Sequence, residues 1–118
     1  MIGKKPVVRV VDPPKSRSAK KRIAQELKKK NITPTDKPIK AIIDIFVEIP
    51  KSYTKKKKAA IEAGELRPAK KPDVSNYIKL IEDACNGILY IDDSQIVEVL
   101  GRKFYSETPR IEIEIIEL

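Results

Sequence analysis

The chain has no histidine, no tryptophan and a single cysteine, Cys85, in 118 residues. Without histidine, Ser-His-Asp and Cys-His catalysis are excluded; with one cysteine, so are zinc centres built from His and Cys. Any bound metal must be a hard cation held by oxygen. A lone cysteine cannot close an internal disulfide, which fits a reducing compartment. Aromatic residues make up only 5% of the chain, which argues against recognition of single strands by base stacking. Long apolar runs are missing too. Ala41-Ile42-Ile43 is broken by Asp44, far short of a membrane span, and Pro6 and Arg9 interrupt any signal-peptide core. These absences predict a soluble, cytoplasmic protein with no membrane partner.

What is present is positive charge. The net charge is +8, and the basic residues crowd Lys15 to Lys30, Lys51 to Lys58 and Arg67 to Lys71. Such an excess favours an anionic partner, nucleic acid foremost. Acidic residues concentrate from Asp73 to Asp93 and again near the C-terminus. The length and a 41% hydrophobic fraction predict one domain, residues 1–118, with a modest core.

The pattern of apolar residues predicts alternating strands and helices. Pro6 to Val11 is β-branched and stops at Asp12-Pro13-Pro14. Ser18 is placed to cap a helix from Ala19 to about Lys30, with Ile23, Ala24 and Leu27 on one face. Ile39 to Ile49 alternates as a long strand ended by Pro50. Ser52 or Thr54 would cap a basic helix over Lys55 to Ala63, closed by Gly64. A basic loop, Glu65 to Pro72, leads to a helix from about Ser75 to Cys85, which Asn86-Gly87 ends. Ile88 to Ile91 reads as a short extended return. Gln95 to Tyr105 and Arg110 to Ile116 read as two strands, joined through Ser106-Glu107-Thr108-Pro109 as a hairpin. The order predicts an α/β (α+β) fold, a mixed sheet with helices packed on it.

The chemistry concentrates in Lys71-Pro72-Asp73-Val74-Ser75-Asn76, Lys79, Glu82-Asp83, Asn86-Gly87 and Asp92-Asp93-Ser94-Gln95. Carboxylates gathered in a basic protein suit a divalent cation held against a polyanion, the requirement for phosphodiester hydrolysis. Each residue also has a plainer role. Asp73, Ser75 and Asn76 stand where helix caps stand. Lys79 is spaced for an ordinary surface ion pair with Glu82 or Asp83. Asp92-Asp93 is a common turn former. The helix and the following return are expected to bring Asp73 and Asp93 together.

At these residues the chain resembles the RusA family of Holliday junction resolvases. Lys71-Pro72-Asp73-Val74-Ser75-Asn76, Lys79, Asp83-Ala84-Cys85-Asn86-Gly87 and Asp92-Asp93-Ser94-Gln95-Ile96 follow the family pattern. Ile49-Pro50-Lys51-Ser52-Tyr53-Thr54, Gly64-Glu65-Leu66-Arg67-Pro68, Arg102-Lys103-Phe104-Tyr105 and Pro109-Arg110-Ile111 resemble its Gram-positive phage branch. The resemblance spans about residues 40–118. It implies a homodimer that nicks four-way junction DNA in symmetric pairs with Mg²⁺, or Mn²⁺ as a substitute. It implies Asp73, Lys79 and Asp93 as catalytic residues and Asp73, Asp93 and Asp92 as metal ligands. Lys51, Lys55, Lys56, Lys57, Lys58, Arg67, Lys70, Lys71 and Asn76 would contact DNA. The alternating Ile111 to Ile115 segment is the expected dimer surface.

Two departures qualify the resemblance. Ser75 stands where the family has a second aspartate, and a neutral hydroxyl is a poor Mg²⁺ ligand. The basic segment Lys15-Ser16-Arg17-Ser18 with its lysine-rich helix replaces the family's N-terminal loop. The first departure leaves a second reading open, a junction-binding protein with a degraded metal site. A basic RNA-binding module is a third.

Overall fold

The computed structural model describes residues 7–10, 19–70 and 73–118. Its elements run β1 (Val7–Val10), α1 (Ala19–Lys28), β2 (Ile39–Glu48), α2 (Lys55–Glu62), α3 (Val74–Cys85), a 3₁₀ turn (Asp93–Gln95), β3 (Ile96–Ser106) and β4 (Arg110–Glu117). The expected mixed sheet is present, four strands in the order β1-β4-β2-β3. The proposed cap Ser18 lies outside the described residues.

Alternation along β2 decides which face is buried. Ile39, Ala41, Ile43 and Ile45 point inward, while Lys40, Ile42, Asp44 and Phe46 face the other way. Ile23 and Leu27 of α1, and Tyr77, Ile81, Ala84 and Cys85 of α3, close over that inner face. Ile111, Ile113 and Ile115 of β4 complete the core, each no more than 2% exposed. They are therefore not a dimer surface, as the sequence suggested. Their alternation reflects burial against α1 and α3, and Glu112 and Glu114 are on the open face.

The expected β3–β4 hairpin does not form. β2 lies between the two strands, parallel to β3 (Lys40 opposite Glu98 through Glu48 opposite Ser106) and antiparallel to β4 (Ala41 opposite Ile115, Ile45 opposite Ile111). The Ser106–Arg110 link steps across the end of β2, a span of roughly 10 Å for two strand spacings. The physical reason is burial. β2 and β4, whose alternating isoleucines are fully buried, take the two central positions, and β3, whose Val97, Val99 and Leu100 stay exposed, occupies the edge.

No helix of the described residues is long and apolar enough to cross a membrane. Cys85 is sealed in the core, where burial, with the charge of Glu82 added, pushes its thiol up to about 12. It is a packing residue and not a nucleophile.

Candidate active site

Asp73 occupies the N-cap of α3 with extended backbone (φ −70°, ψ 153°). Its carbonyl opens the helix by accepting the N–H groups of Asn76 (3.1 Å) and Tyr77 (3.2 Å). Its carboxylate makes no cap hydrogen bond and stays exposed at the positive end of the helix. The plain capping role is thus filled by the main chain alone, leaving the side chain available. Ser75, Asn76 and Lys79 are exposed on the same helix. Among the described residues Lys79 forms no ion pair with Glu82 or Asp83.

The other half of the motif is arranged differently from expectation. Residues 86–90 do not extend; they form a tight turn. Gly87 N–H reaches the Tyr90 carbonyl (2.8 Å), and the N–H groups of Ile88 (2.9 Å) and Leu89 (3.0 Å) reach the Cys85 carbonyl. Gly87 adopts φ +80°, the left-handed conformation that favours glycine at a helix end. The chain is therefore held at the C-terminal end of α3. The Tyr90 hydroxyl locks it there by donating to the Glu82 carbonyl (2.6 Å).

Asp92, expected beside the metal, instead caps the 3₁₀ turn. Its Oδ2 accepts the Ser94 N–H (3.0 Å), and Gln95 Oε1 accepts the Asp92 N–H (2.8 Å). The Ser94 hydrogen bonds hold the Asp92 carboxyl below the usual range. Gln95 Nε2 also donates to the carbonyls of Thr35 (2.8 Å) and Lys37 (2.9 Å), tying the turn to the segment that enters β2. The spacing of Asp92 and Gln95 is that of a capping box, the sequence signal for this structural role.

Asp93 is exposed and opens onto a cavity of about 280 Å³ shared with Glu82, Ile96, Val97, Glu98 and Val99. Partial burial, then the charges of Asp93 and Asp83, raise the Glu82 carboxyl above its ordinary range. Glu82 and Glu98 are the carboxylates that share this cavity with Asp93. Asp73 and Asp93 are not brought together. Glu82 follows Asp73 by nine positions on one helix, so the two lie roughly 13 Å apart along its axis. Among the described residues no group of three or more His, Cys, Asp or Glu could hold a metal.

Basic residues lie at both ends of α3: Lys20, Lys21 and Lys28 of α1 line a cavity of about 520 Å³ with Asp83, Asn86 and Gly87, and a second group lies toward the Asp73 end. A small cavity there is lined by Val47, Pro50, Pro68, Lys70, Tyr77 and Lys103, among others. Lys103 Nζ donates to the Lys70 carbonyl (2.6 Å), and Arg67 Nε to the Lys103 carbonyl (3.0 Å) while its guanidinium stacks over Phe104. Tyr53 and Tyr105 share a hydroxyl hydrogen bond (3.1 Å), and Lys57 lies over the Tyr53 ring. Lys71 is outside the described residues.

α2 is the least economical element as structure. Thr54 caps it through the Lys57 N–H (3.2 Å), yet it buries no residue and stacks Lys55, Lys56, Lys57 and Lys58 at its positive end. That arrangement costs stability unless an anion is nearby. Replacing the four lysines with alanine is expected to flatten the salt dependence of DNA affinity. The log–log slope should fall by about 0.9 for each phosphate that is no longer neutralised, with the melting temperature of the free protein held or slightly raised. An unchanged slope would remove α2 from the DNA surface.

A family model described as "Endodeoxyribonuclease RusA" matches residues 2–116. The chain is also 47% identical over 83 residues to "Uncharacterized protein YqaN" of Bacillus subtilis (strain 168). That alignment covers 69% of this chain and 58% of the relative, so a large part of the relative has no counterpart in the match. With its acidic motif on α3 and the turn before β3, this chain belongs to the RusA endodeoxyribonuclease family.

Proposed function

We propose that the chain is a Mg²⁺-dependent endodeoxyribonuclease that acts as a homodimer and resolves four-way DNA junctions by paired symmetric nicks. The observation that carries this reading is the state of Asp73 and Asp93. Both carboxylates are exposed, and Asp73 is not engaged in capping although it stands at the N-cap. A residue needed only to start the helix would use its side chain there.

Magnesium takes one or two protein carboxylates, completing its shell with water and substrate phosphate, so these hard oxygen donors suit it. Asp73 and Asp93 lie toward opposite ends of α3, so a shared site would draw one from each of two chains. A bound divalent cation would neutralise phosphate charge and acidify the attacking water. The protein's own residues do the rest. Lys79, on the exposed side of α3, stabilises the charge that develops on the scissile phosphate. Lys51, the α2 lysines, Arg67, Lys70, Lys71 and Asn76 hold the flanking backbone.

The test is cleavage of a labelled synthetic four-way junction with Mg²⁺, beside linear duplex of the same sequence. Symmetric nicks confined to the junction support the proposal. Tight junction binding without nicks, in Mg²⁺ or Mn²⁺, would transfer the protein to the second reading, a non-catalytic junction binder.

Ser75 is the observation that favours that second reading. It is exposed on the first turn of α3, two residues from Asp73. Ser75→Asp would place a second carboxylate at the helix end where negative charge is favoured. Cleavage at limiting Mg²⁺ is expected to rise by about tenfold, as one added metal ligand worth about 1.4 kcal/mol implies. No increase would mean that Ser75 does not limit catalysis.

A further inference from the structure

The nuclease reading gives α1 no task beyond packing. Ile23 and Leu27, both buried, account for its place in the core. Its other feature is charge. Lys20, Lys21 and Lys28 are exposed, and all three line the cavity of about 520 Å³ that α1 forms with the end of α3. Helical spacing aligns them. Lys20, Ala24 and Lys28 stand four apart, and Lys21 lies three before Ala24, so the lysines flank one small side chain in a single stripe. The first turn of α1 contains no acidic residue, which leaves Lys20 and Lys21 at the positive end of the helix dipole. That placement is unfavourable until an anion arrives.

The facing wall is the end of α3. Asp83 is exposed there, yet among the described residues it forms no ion pair with Lys20, Lys21 or Lys28. Lys29, outside the cavity, is instead paired with Glu26 (3.4 Å). Three lysines against one carboxylate leave two positive charges unmatched in the cavity. The wall is also open to close approach. A Cβ placed on Gly87 would meet no atom within 4 Å, and Asn86 beside it is exposed, with an amide that can donate to phosphate. The spread of the lysines identifies the ligand. Lys20 and Lys28 are eight positions apart, roughly 12 Å along the helix axis. A single phosphate would need both long side chains to converge on it. A DNA strand, with one phosphate for about every 3.4 Å of duplex axis, presents several over that length.

We propose that the cleft between α1 and the C-terminal end of α3 is a second DNA-backbone site, in which Lys20, Lys21 and Lys28 hold phosphates of the strand that passes Asp93. Asp83, in the wall of the cleft, adjoins Glu82, which shares the acidic cavity with Asp93. That acidic cavity is lined by no basic residue among the described residues. The cleft supplies the missing phosphate contacts at the same end of α3, separately from α2 and the basic loop. The part played by the bound strand rests on the nuclease reading; the grip on its backbone does not.

The experiment measures binding of the full chain to a synthetic four-way DNA junction, in chelator, across a salt series. Two double variants lose the same charge. Lys20→Ala with Lys28→Ala strips the two ends of the cleft, and Lys29→Ala with Lys30→Ala strips two exposed lysines that do not line it. The log–log salt slope is expected to fall by about 1.8 for the first pair, or about 0.9 per lost phosphate contact, and by about 0.5 or less for the second. All four side chains are exposed and alanine favours helix, so a thermal melt should find both variants folded. A second measurement leaves the lysines in place. Asn86→Cys, labelled with a photoactivatable aryl azide, is expected to crosslink to the junction, while native Cys85, 1% exposed, stays unlabelled. Equal slope changes for the two pairs would overturn the proposal. So would a labelled Asn86→Cys that links to no DNA while the junction is bound, or a slope difference seen with folded RNA and not with DNA. Nicking in Mg²⁺ is scored separately. Its absence from a chain that shows the slope difference would sink the nuclease reading and leave the cleft standing.

Discussion

Asp93→Asn is expected to lower Mg²⁺-dependent junction cleavage by about 100-fold or more while leaving the fold and junction affinity in place. The amide keeps the shape of the side chain but removes the charge a hard cation requires. Loss of about 3 kcal/mol of charge stabilisation corresponds to this factor. Stability should not suffer. Asp93 is exposed, and among the described residues its carboxylate anchors no turn; the adjacent Asp92 does that through Ser94. The substitution also removes one of the charges crowding Glu82, so any change in melting temperature should be upward in metal-free buffer. Single-turnover cleavage, junction binding in chelator and a thermal melt separate these effects. Cleavage within about threefold of the parent would remove Asp93 from the proposed metal site and direct attention to Glu82.

The same pair of residues shows where sequence reasoning stopped. The motif on α3 and before β3 was legible because its residue types and spacing are specific. Strand alternation in β2 and helical spacing in α3 likewise placed the core correctly. Spacing cannot tell how a chain leaves a helix, however. A return strand after Gly87 and a tight turn after Gly87 begin with the same residues, and the choice depends on Tyr90 reaching the Glu82 carbonyl. That hydrogen bond keeps Asp93 at the Glu82 end of α3. Strand order was hidden for a related reason. Four residues suffice both for a hairpin and for a step across a neighbouring strand, and only the burial needs of Ile111, Ile113 and Ile115 decide between them.

The consequence is a polar distribution of charge along one helix. Lys70 and Lys103 line a cavity with Tyr77, one turn along α3 from Asp73. Asp93 shares its end with Glu82 and Glu98. Within one chain the cavity of Asp93 holds no basic residue among the described residues, although Lys20, Lys21 and Lys28 line a separate cavity beside Asp83 at the same end of α3. Two chains arranged head to tail bring the acidic end of one to the basic end of the other. Dimerisation would then serve the chemistry as well as the two-fold symmetry of a four-way junction.

This arrangement depends on α3 lying close to β3, and Gly101→Val is expected to destabilise the protein by about 3 kcal/mol and to abolish cleavage with it. A Cβ at Gly101 would meet Ile78 Cδ1 at 2.6 Å, Val74 Cγ1 at 2.7 Å and Ile78 Cγ1 at 3.0 Å. The Ile78 methyl can rotate aside, but Val74 is β-branched, sits on the first turn and has little freedom. Valine adds two γ carbons to the same space, so the N-terminal half of α3 must lift from the sheet. That half carries Asp73, Ser75 and Lys79. Gly87→Ala supplies the contrast. No atom lies within 4 Å of its Cβ position, and the cost there is backbone strain at φ +80°, about 1–2 kcal/mol. Denaturant unfolding should therefore rank Gly101→Val below Gly87→Ala. Partial rescue of Gly101→Val by Val74→Ala would identify the collision itself as the cause; failure of that rescue would place the need for glycine in the strand backbone instead.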